Sequence, residues 1–518
     1  MDSGTPLATI GAMPSRSLPP MVRGRLVAAA WALLAADGSQ AQPIETSPAL
    51  SLLPASDPGL RSDVAWLVDR GVIELPLGTW PLPSSTLRAA WADVDAGRLA
   101  AADADALARV QRAVARSTDT ARLRMGVNSA RHPSLDGGAV AQGIASGSLL
   151  FYAGNAQVGG QLALGATAQN LAPDGPQGNL DGSYLAAQFD NVVVAAGAVD
   201  RWWGPGHYAS PILSDAAAPI AGVLVRRAVD HAPQGPLLGW IGRWGYEFSV
   251  GRLNHYEPSG TRVIGLRLYT RPWPNVEIGL ARAMMWAGEG RPHDWVALRD
   301  AILGRSNIDD PEQKGDDPSN EIAGFDLRAS ADDPWGGTLV GSVHLVGEDE
   351  AASLPTKLFG TIGLQRKSVV NAQRLELTLE ATDTMPRHLF GLRTSDPPPA
   401  YQHSIYQQGY YQGQLPIGAT IGGGGTLYTL GLAWTRIDDP QQLRVNAVAF
   451  GGRMSEMGNQ PRNAAYGVTG KLTGFALGVD GETPSGFRWR FGISMQSYVG
   501  GDRPRVGVRA GFELPIAR

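Results

Sequence analysis

QRLELTLEAT, residues 373–382, decides the fold, because its side chains fall into two sets at a period of two. Leu375, Leu377 and Leu379 share one face of an extended strand, while Arg374, Glu376 and Glu380 share the other. The alternation recurs along the chain. In FRWRFGISM, Phe487, Trp489, Phe491 and Ile493 oppose Arg488, Arg490 and Ser494. In PRVGVRAGFEL, Val506, Val508, Phe512 and Leu514 oppose Arg505, Arg509 and Glu513. In RVIGLRLYT, Ile264, Leu266 and Leu268 oppose Arg267 and Tyr269. A soluble antiparallel sandwich alternates in the same way. Here such segments recur from about Arg122 to the C-terminus, separated by polar loops such as NIDDPEQKGDDPSN. At roughly ten residues per strand plus turns and loops, that length suits a transmembrane β-barrel in the middle of the known size range.

Composition bounds the alternatives. Charged residues make up 18% of the 518, and the net charge of −4 carries no basic excess, which argues against a nucleic-acid partner. The absence of cysteine removes disulfides, cysteine-based zinc sites and a Cys nucleophile. No apolar run beyond the N-terminal segment approaches the roughly 18 residues of a spanning helix. The longest clean one, Val192 to Val199, is far too short, so a helical membrane protein is excluded.

The N-terminus carries an export address. In MVRGRLVAAAWALLAADGSQAQP, Arg23 and Arg25 form a positive region, Leu26 to Ala36 an apolar one, and Ser39 and Ala41 supply small residues for cleavage. The expected start is Met21 and the expected mature terminus lies near Gln42. Residues 1–41 are therefore an extension and signal peptide.

Residues 42–121 read as a helical bundle on the periplasmic side, and residues 122–518 as the outer-membrane barrel. SDPGLRSDVAWLVDRG has Asp57 as an N-cap, Pro58 at the first helical position and Gly71 at the C-terminal cap. STLRAAWADVDAG and DADALARVQRAVARS predict two further helices. The last has Asp103 and Asp105 in its first turn, Arg112 and Arg116 in its last, and Leu107, Val110 and Val114 on one face.

RWWGPGHYASPILSDAAAPI, residues 201–220, sets two adjacent tryptophans before a Gly-Pro-Gly turn. On a strand they point to opposite faces, so a barrel wall offers one indole a lipid girdle and the other a polar lumen. Plain structural packing of the turn is the competing reading.

RWWGPG followed by SPILSDAAAPIAGVLVRRA resembles the signature region of the Wzi-type capsule assembly proteins. LRSDVAWLVDRGVIELPLGTWPLP is similar to that family's opening helix and proline-broken turn, and YQHSIYQQGYYQGQLPIG to its Tyr- and Gly-rich segment before a late strand. The markers stand in the family's order. The resemblance implies an all-β outer-membrane barrel of about 18 antiparallel strands with a small N-terminal α-helical bundle. It also implies a lectin-like role, holding capsular or other surface polysaccharide. The terminal GFELPIAR departs from the pattern by ending in Arg518 rather than an aromatic, which moves the expected assembly signal to Phe512.

Sugars offer C–H faces to an indole and hydroxyl edges to a guanidinium. Arg201, Trp202, Trp203, His207 and Tyr208 are accordingly the candidate polysaccharide contacts. The expected partners are this polymer and outer-membrane lipid, with the protein acting as a monomer. No cofactor, metal site or catalytic residue is expected. The eight histidines are scattered without an HExxH pair, GVTGK lacks the upstream glycine of a P-loop, and no GxSxG elbow occurs. His207 has no carboxylate at a spacing that completes a triad, and local hydrogen bonding is its better reading. The acidic run DDPEQKGDD lacks the regular oxygen spacing of a calcium loop. The alternative function is a diffusion porin, its lumen lined by Arg267, Arg374, Arg488, Arg490, Arg505 and Arg509 against Glu376, Glu380 and Glu513. The helical segment favours a blocked barrel, since an open pore has no use for a cap.

Overall fold

A computed structural model describes residues 48–129, 143–169, 176–233, 235, 238–302, 319–351, 354–388, 400–403, 405–413, 415–454, 470–498 and 504–517. The export segment and the acidic run DDPEQKGDD lie outside these.

Eighteen antiparallel strand positions close into one barrel. In chain order they are β1 (Ala121–Asn128), β2 (Gly143–Gly154), β3 (Val158–Gln169), β4 in two pieces (Pro176–Asn179 and Tyr184–Phe189), β5 (Val192–Gly197) and β6 (Gly222–Arg227). There follow β7 (Arg243–Arg252), β8 (Arg262–Trp273), β9 (Val276–Trp286), β10 (Ser319–Asp332), β11 (Thr338–Ala351) and β12 (Leu354–Val370). The last six are β13 (Gln373–His388), β14 (Gly425–Arg436), β15 (Arg444–Met454), β16 (Gly470–Glu482), β17 (Arg488–Tyr498) and β18 (Arg505–Ala517). Closure is made where Leu514 of β18 pairs with Leu123 of β1. Closing the sheet leaves no unpaired edge. Both pieces of β4 pair with β3, and the break between them is bridged by Ser183 Oγ, which accepts from Ala163 N at 2.9 Å.

The alternation in β13 is inverted relative to a soluble protein. Leu377 and Leu379 are 41% and 47% exposed, while Arg374 is fully buried, as are Glu376 and Glu380 to within a few per cent. The same holds for Leu266 and Leu268 against Arg267 and Tyr269 of β8. Apolar side chains outside and charges inside identify the surrounding solvent as lipid. Trp240, Trp273 and Trp335 stand exposed at the short-turn end of β7, β8 and β10, the height of an interfacial girdle. Leu379→Arg is expected to destabilise the barrel by about 2–4 kcal/mol, read as a lowered urea midpoint for folding into vesicles. An unchanged midpoint would place that face in water.

Three helices lie in the lumen at the short-turn end: α1 (Pro58–Asp69), α2 (Ser84–Trp91) and α3 (Ala101–Arg116). Asp57 caps α1, its Oδ1 accepting from Leu60 N at 3.1 Å, and Gly71 ends the helix with φ +70°. Leu107, Val110 and Val114 of α3 pack against Val64, Trp66 and Leu67 of α1 in one apolar core. Asp103 does more than complement the helix dipole: it accepts from Trp66 Nε1 at 2.8 Å and from Arg70 Nε at 2.6 Å. The polar sides of the helices fasten to the inner wall. Asp63 takes Arg374 and Arg444, each at 2.7 Å, and Asp69 takes Lys367 at 2.6 Å together with Arg328. Asp57 pairs with Arg488 at 2.9 Å, and Arg116 with Glu482. A further helix, α4 (Trp295–Ile302), follows β9 at the long-loop end.

The long-loop end is filled by two inward segments, residues 198–221 after β5 and residues 400–403, 405–413 and 415–424 after β13. Tyr401, Tyr406, Tyr410 and Tyr411 of the second are all buried with Ile212 and Leu213 of the first. The segments hold each other: Tyr401 Oη donates to Pro211 O at 2.6 Å, Ser214 N to Ile417 O at 2.9 Å, and Gln412 Nε2 to Ala218 O at 2.8 Å.

Candidate functional site

The two plugs meet at Arg201-Trp202-Trp203. Trp202 and Trp203 form a two-residue strand antiparallel to Thr79–Trp80 of the helical segment, with Trp202 opposite Trp80. Successive side chains of a strand diverge, and here each indole enters a different plug. Trp202 joins the helical core, with the Arg61 guanidinium 3.8 Å from its ring centroid. Trp203 joins the core of the inward loops, and its Nε1 donates to Glu247 Oε1 at 3.0 Å. Neither indole touches lipid. The girdle position expected for one of them is corrected by the descent of the whole segment into the lumen, which the pairing with Thr79–Trp80 enforces. Arg201 is buried behind the tryptophans.

The turn that follows is built for a close approach. Gly204 has φ +116°, and a Cβ there would run into the His344 ring. Beyond it, the backbone N–H groups of His207, Tyr208 and Ala209 donate to the Glu380 carboxylate at 2.6, 3.0 and 2.7 Å. This clamp turns the His207 and Tyr208 rings, 4.6 Å apart and edge to face, toward an internal cavity.

That cavity has a volume of about 540 Å³, inside the usual range of ligand pockets. It lies off-centre, between the plugs and the wall formed by β14–β18 and β1–β4. Small inward residues make the space. Gly478 and Gly511 alternate with the outward Leu477 and Val508 series, and a Cβ at either would meet nothing closer than 3.8 Å. The cavity is wet, because Arg124 and Arg490 face inward and are nevertheless exposed. Among the described residues Arg490 makes no ion pair, whereas Arg124 reaches Glu513 at 3.1 Å. Asn128, Gln161, Asn179 and Asn446 add amide groups to the lining.

Titratable groups on the plug side complete the site. Burial, reinforced by the Arg61 guanidinium, pushes the His207 imidazole down to about 4, so it is neutral at pH 7 and offers one donor and one acceptor. Burial pushes the Asp215 carboxyl up to about 7, with Arg61 opposing and Asp200 adding to the rise. Burial also raises Asp200, against a hydrogen bond from Ser56. Neutral ring, amides, guanidinium and titrating carboxyl together suit a neutral or acidic polyhydroxylated ligand. Of the five candidate contacts, His207 and Tyr208 line the cavity, while Arg201, Trp202 and Trp203 support them from behind. Sequence reasoning missed Arg61 and Asp215. Arg490 was visible only as one inward charge among several. Among the described residues no His, Asp and Glu group is arranged to hold a metal ion.

Fold and site together define an outer-membrane β-barrel whose lumen is occupied from both ends around a cavity with charged and amide side chains in its lining. A family model described as capsule assembly protein Wzi matches residues 109–446, and the chain belongs to that family. An uncharacterized 55.8 kDa protein in the cps region of Klebsiella pneumoniae is 28% identical over 504 residues, covering 96% of this chain and 94% of its own. The solved structure of Wzi from Escherichia coli superposes with a TM-score of 0.78 at 28% identity, covering 90% of this chain and 100% of that one. That protein is described as an outer membrane protein involved in group 1 capsule assembly and a carbohydrate-binding β-barrel. A BenF-like porin from Pseudomonas fluorescens superposes with a TM-score of 0.42 at 13% identity, over 77% of this chain and 98% of that one.

Proposed function

We propose that this chain is an outer-membrane lectin that attaches or organises capsular or other surface polysaccharide at the cell surface. It acts as a lipid-embedded monomer, by binding rather than by catalysis. The short-turn end, with the helices, faces the periplasm, and the long-loop end faces outward, as in barrels of this kind. The observation that carries the reading is the wet cavity at the junction of the plugs, lined by His207, Tyr208, Arg490 and side-chain amides. A diffusion porin needs a continuous aqueous lumen, and here the inward charges are spent on the plugs: Arg374 on Asp63, Arg488 on Asp57, Glu380 on a backbone turn.

The test is titration of purified capsular polymer into the detergent-solubilised full chain. Arg490→Ala and Tyr208→Phe remove a guanidinium and a hydroxyl without emptying the core. Each is expected to weaken binding roughly tenfold, the effect of losing a hydrogen bond to or from a well-placed polar group. The heat-shifted band on SDS gels should stay as in the parent. Undiminished affinity in both variants, with normal folding, would remove the cavity from the binding site.

A further inference from the structure

The outward face of β7–β10 changes character at its long-loop end. Arg252, the last residue of β7, and Arg262, the first of β8, are direct cross-strand partners. They belong to the outward sets of Phe248 and Leu266, and both are exposed. Like charges directly opposite one another on a sheet repel. Among the described residues neither guanidinium has an ion pair. On its other side Arg262 is paired with Trp286 of β9, whose ring centroid lies 5.8 Å from the guanidinium carbon.

Beside this pair, α4 lies on the outside of the barrel. Asp294 Oδ1 accepts from Ala297 N at 2.8 Å and caps the helix. Leu298 packs onto the outward-facing Ile264, Met284 and Trp286, which are buried for that reason. The helix turns Trp295 and Val296 away from the protein, 72% and 54% exposed. An indole and a valine projecting at a membrane rim, next to two guanidiniums without an ion pair among the described residues, match an interfacial helix seated among anionic headgroups. Below them, Phe248, Leu266, Leu268 and Leu280 give an apolar wall for acyl chains.

We propose that this rim binds a phosphate-bearing glycolipid of the outer leaflet. The Arg252 and Arg262 guanidiniums hold a phosphate, the Trp295 indole covers the sugar and the strand wall takes the chains. The counter-anion relieves the repulsion built into the Arg252–Arg262 register. This site is outside the barrel and independent of the luminal cavity.

Native mass spectrometry of the full chain in detergent tests it, with bis-phosphorylated lipid A as probe. Arg252→Gln/Arg262→Gln is expected to weaken retention about thirtyfold, two basic contributions at a membrane surface. Trp295→Ala should weaken it less, and dephosphorylated lipid A should bind the parent poorly. Both arginines are exposed, so the heat-shifted band should be unchanged; should the double variant not fold, Trp295→Ala and the dephosphorylated probe decide. Equal retention by parent and variants would overturn the site. So would retention of phosphatidylglycerol as strong as that of lipid A, or its displacement by equimolar inorganic phosphate, since either removes the glycolipid from the recognition.

Discussion

Asp63→Ala is expected to cost about 3–5 kcal/mol and to unfasten the helical plug from the barrel wall. Asp63 sits buried on α1 and is the shared partner of Arg374 on β13 and Arg444 on β15, both at 2.7 Å. Removing it leaves two buried guanidiniums facing each other. Arg374 keeps Glu376 at 3.3 Å and its stack on Trp66, 4.4 Å from guanidinium carbon to ring centroid, whereas Arg444 loses its only ion-pair partner among the described residues. A buried charge without a partner costs more than the pair contributed, which is why the single deletion is severe. The strands themselves should survive, because their hydrogen bonds close on themselves. The expected result is therefore a retained heat-shifted band with steady conductance in planar bilayers where the parent is silent. Silent bilayers and an unchanged unfolding midpoint would mean that the plug is held by packing alone.

Acid should loosen the same plug from a second point. Arg328 and Lys367 beside Asp69 hold its carboxyl down at about 2 against the burial that raises it, from an ordinary 3.8. A depressed folded-state pKa contributes stability that is complete above the unfolded value and is lost as pH falls through the folded one. The contribution is thus constant at neutral pH and fades between about pH 4 and 2.

The strands were legible because lipid and lumen impose a strict period of two on β8, β13, β17 and β18. The helices were legible from caps, as Asp57 and Gly71 illustrate. The site was not, for reasons of distance along the chain. Glu380 reaches His207 across 173 residues, and Trp202 pairs with Trp80 across more than a hundred, with no periodic signal at either end. Loops that fold back into a lumen carry the same Gly, Pro and Tyr as loops that face water. For the same reason α4 was not read at all: its eight residues follow a loop, and only the outward Ile264 and Met284 that it covers explain it. The helical segment pointed to a blocked barrel and the family resemblance to the ligand class, whereas the division of the five candidate residues between cavity and core follows only from the long-range contacts of the fold.

The tryptophan pair separates the two plugs experimentally. Both indoles are buried, Trp203 completely, so truncation of either to alanine should cost about 3–5 kcal/mol in the core it belongs to. The location of the loss should differ. Trp203→Ala removes the indole that ties Ile212 and Leu213 to the wall and leaves Glu247 without its 3.0 Å donor, so the inward loops should become sensitive to protease added outside intact cells. Trp202→Ala removes the surface on which Arg61 stacks and should instead shift the unfolding of the helical core, leaving the outer loops protected. Polymer binding should fall in both variants, because His207 and Tyr208 continue from the same turn. It should fall only in proportion to the fraction of molecules with a disordered plug. A variant that keeps full plug stability yet loses polymer binding would instead place that indole in direct contact with sugar, and the division of the pair into two structural anchors would be wrong.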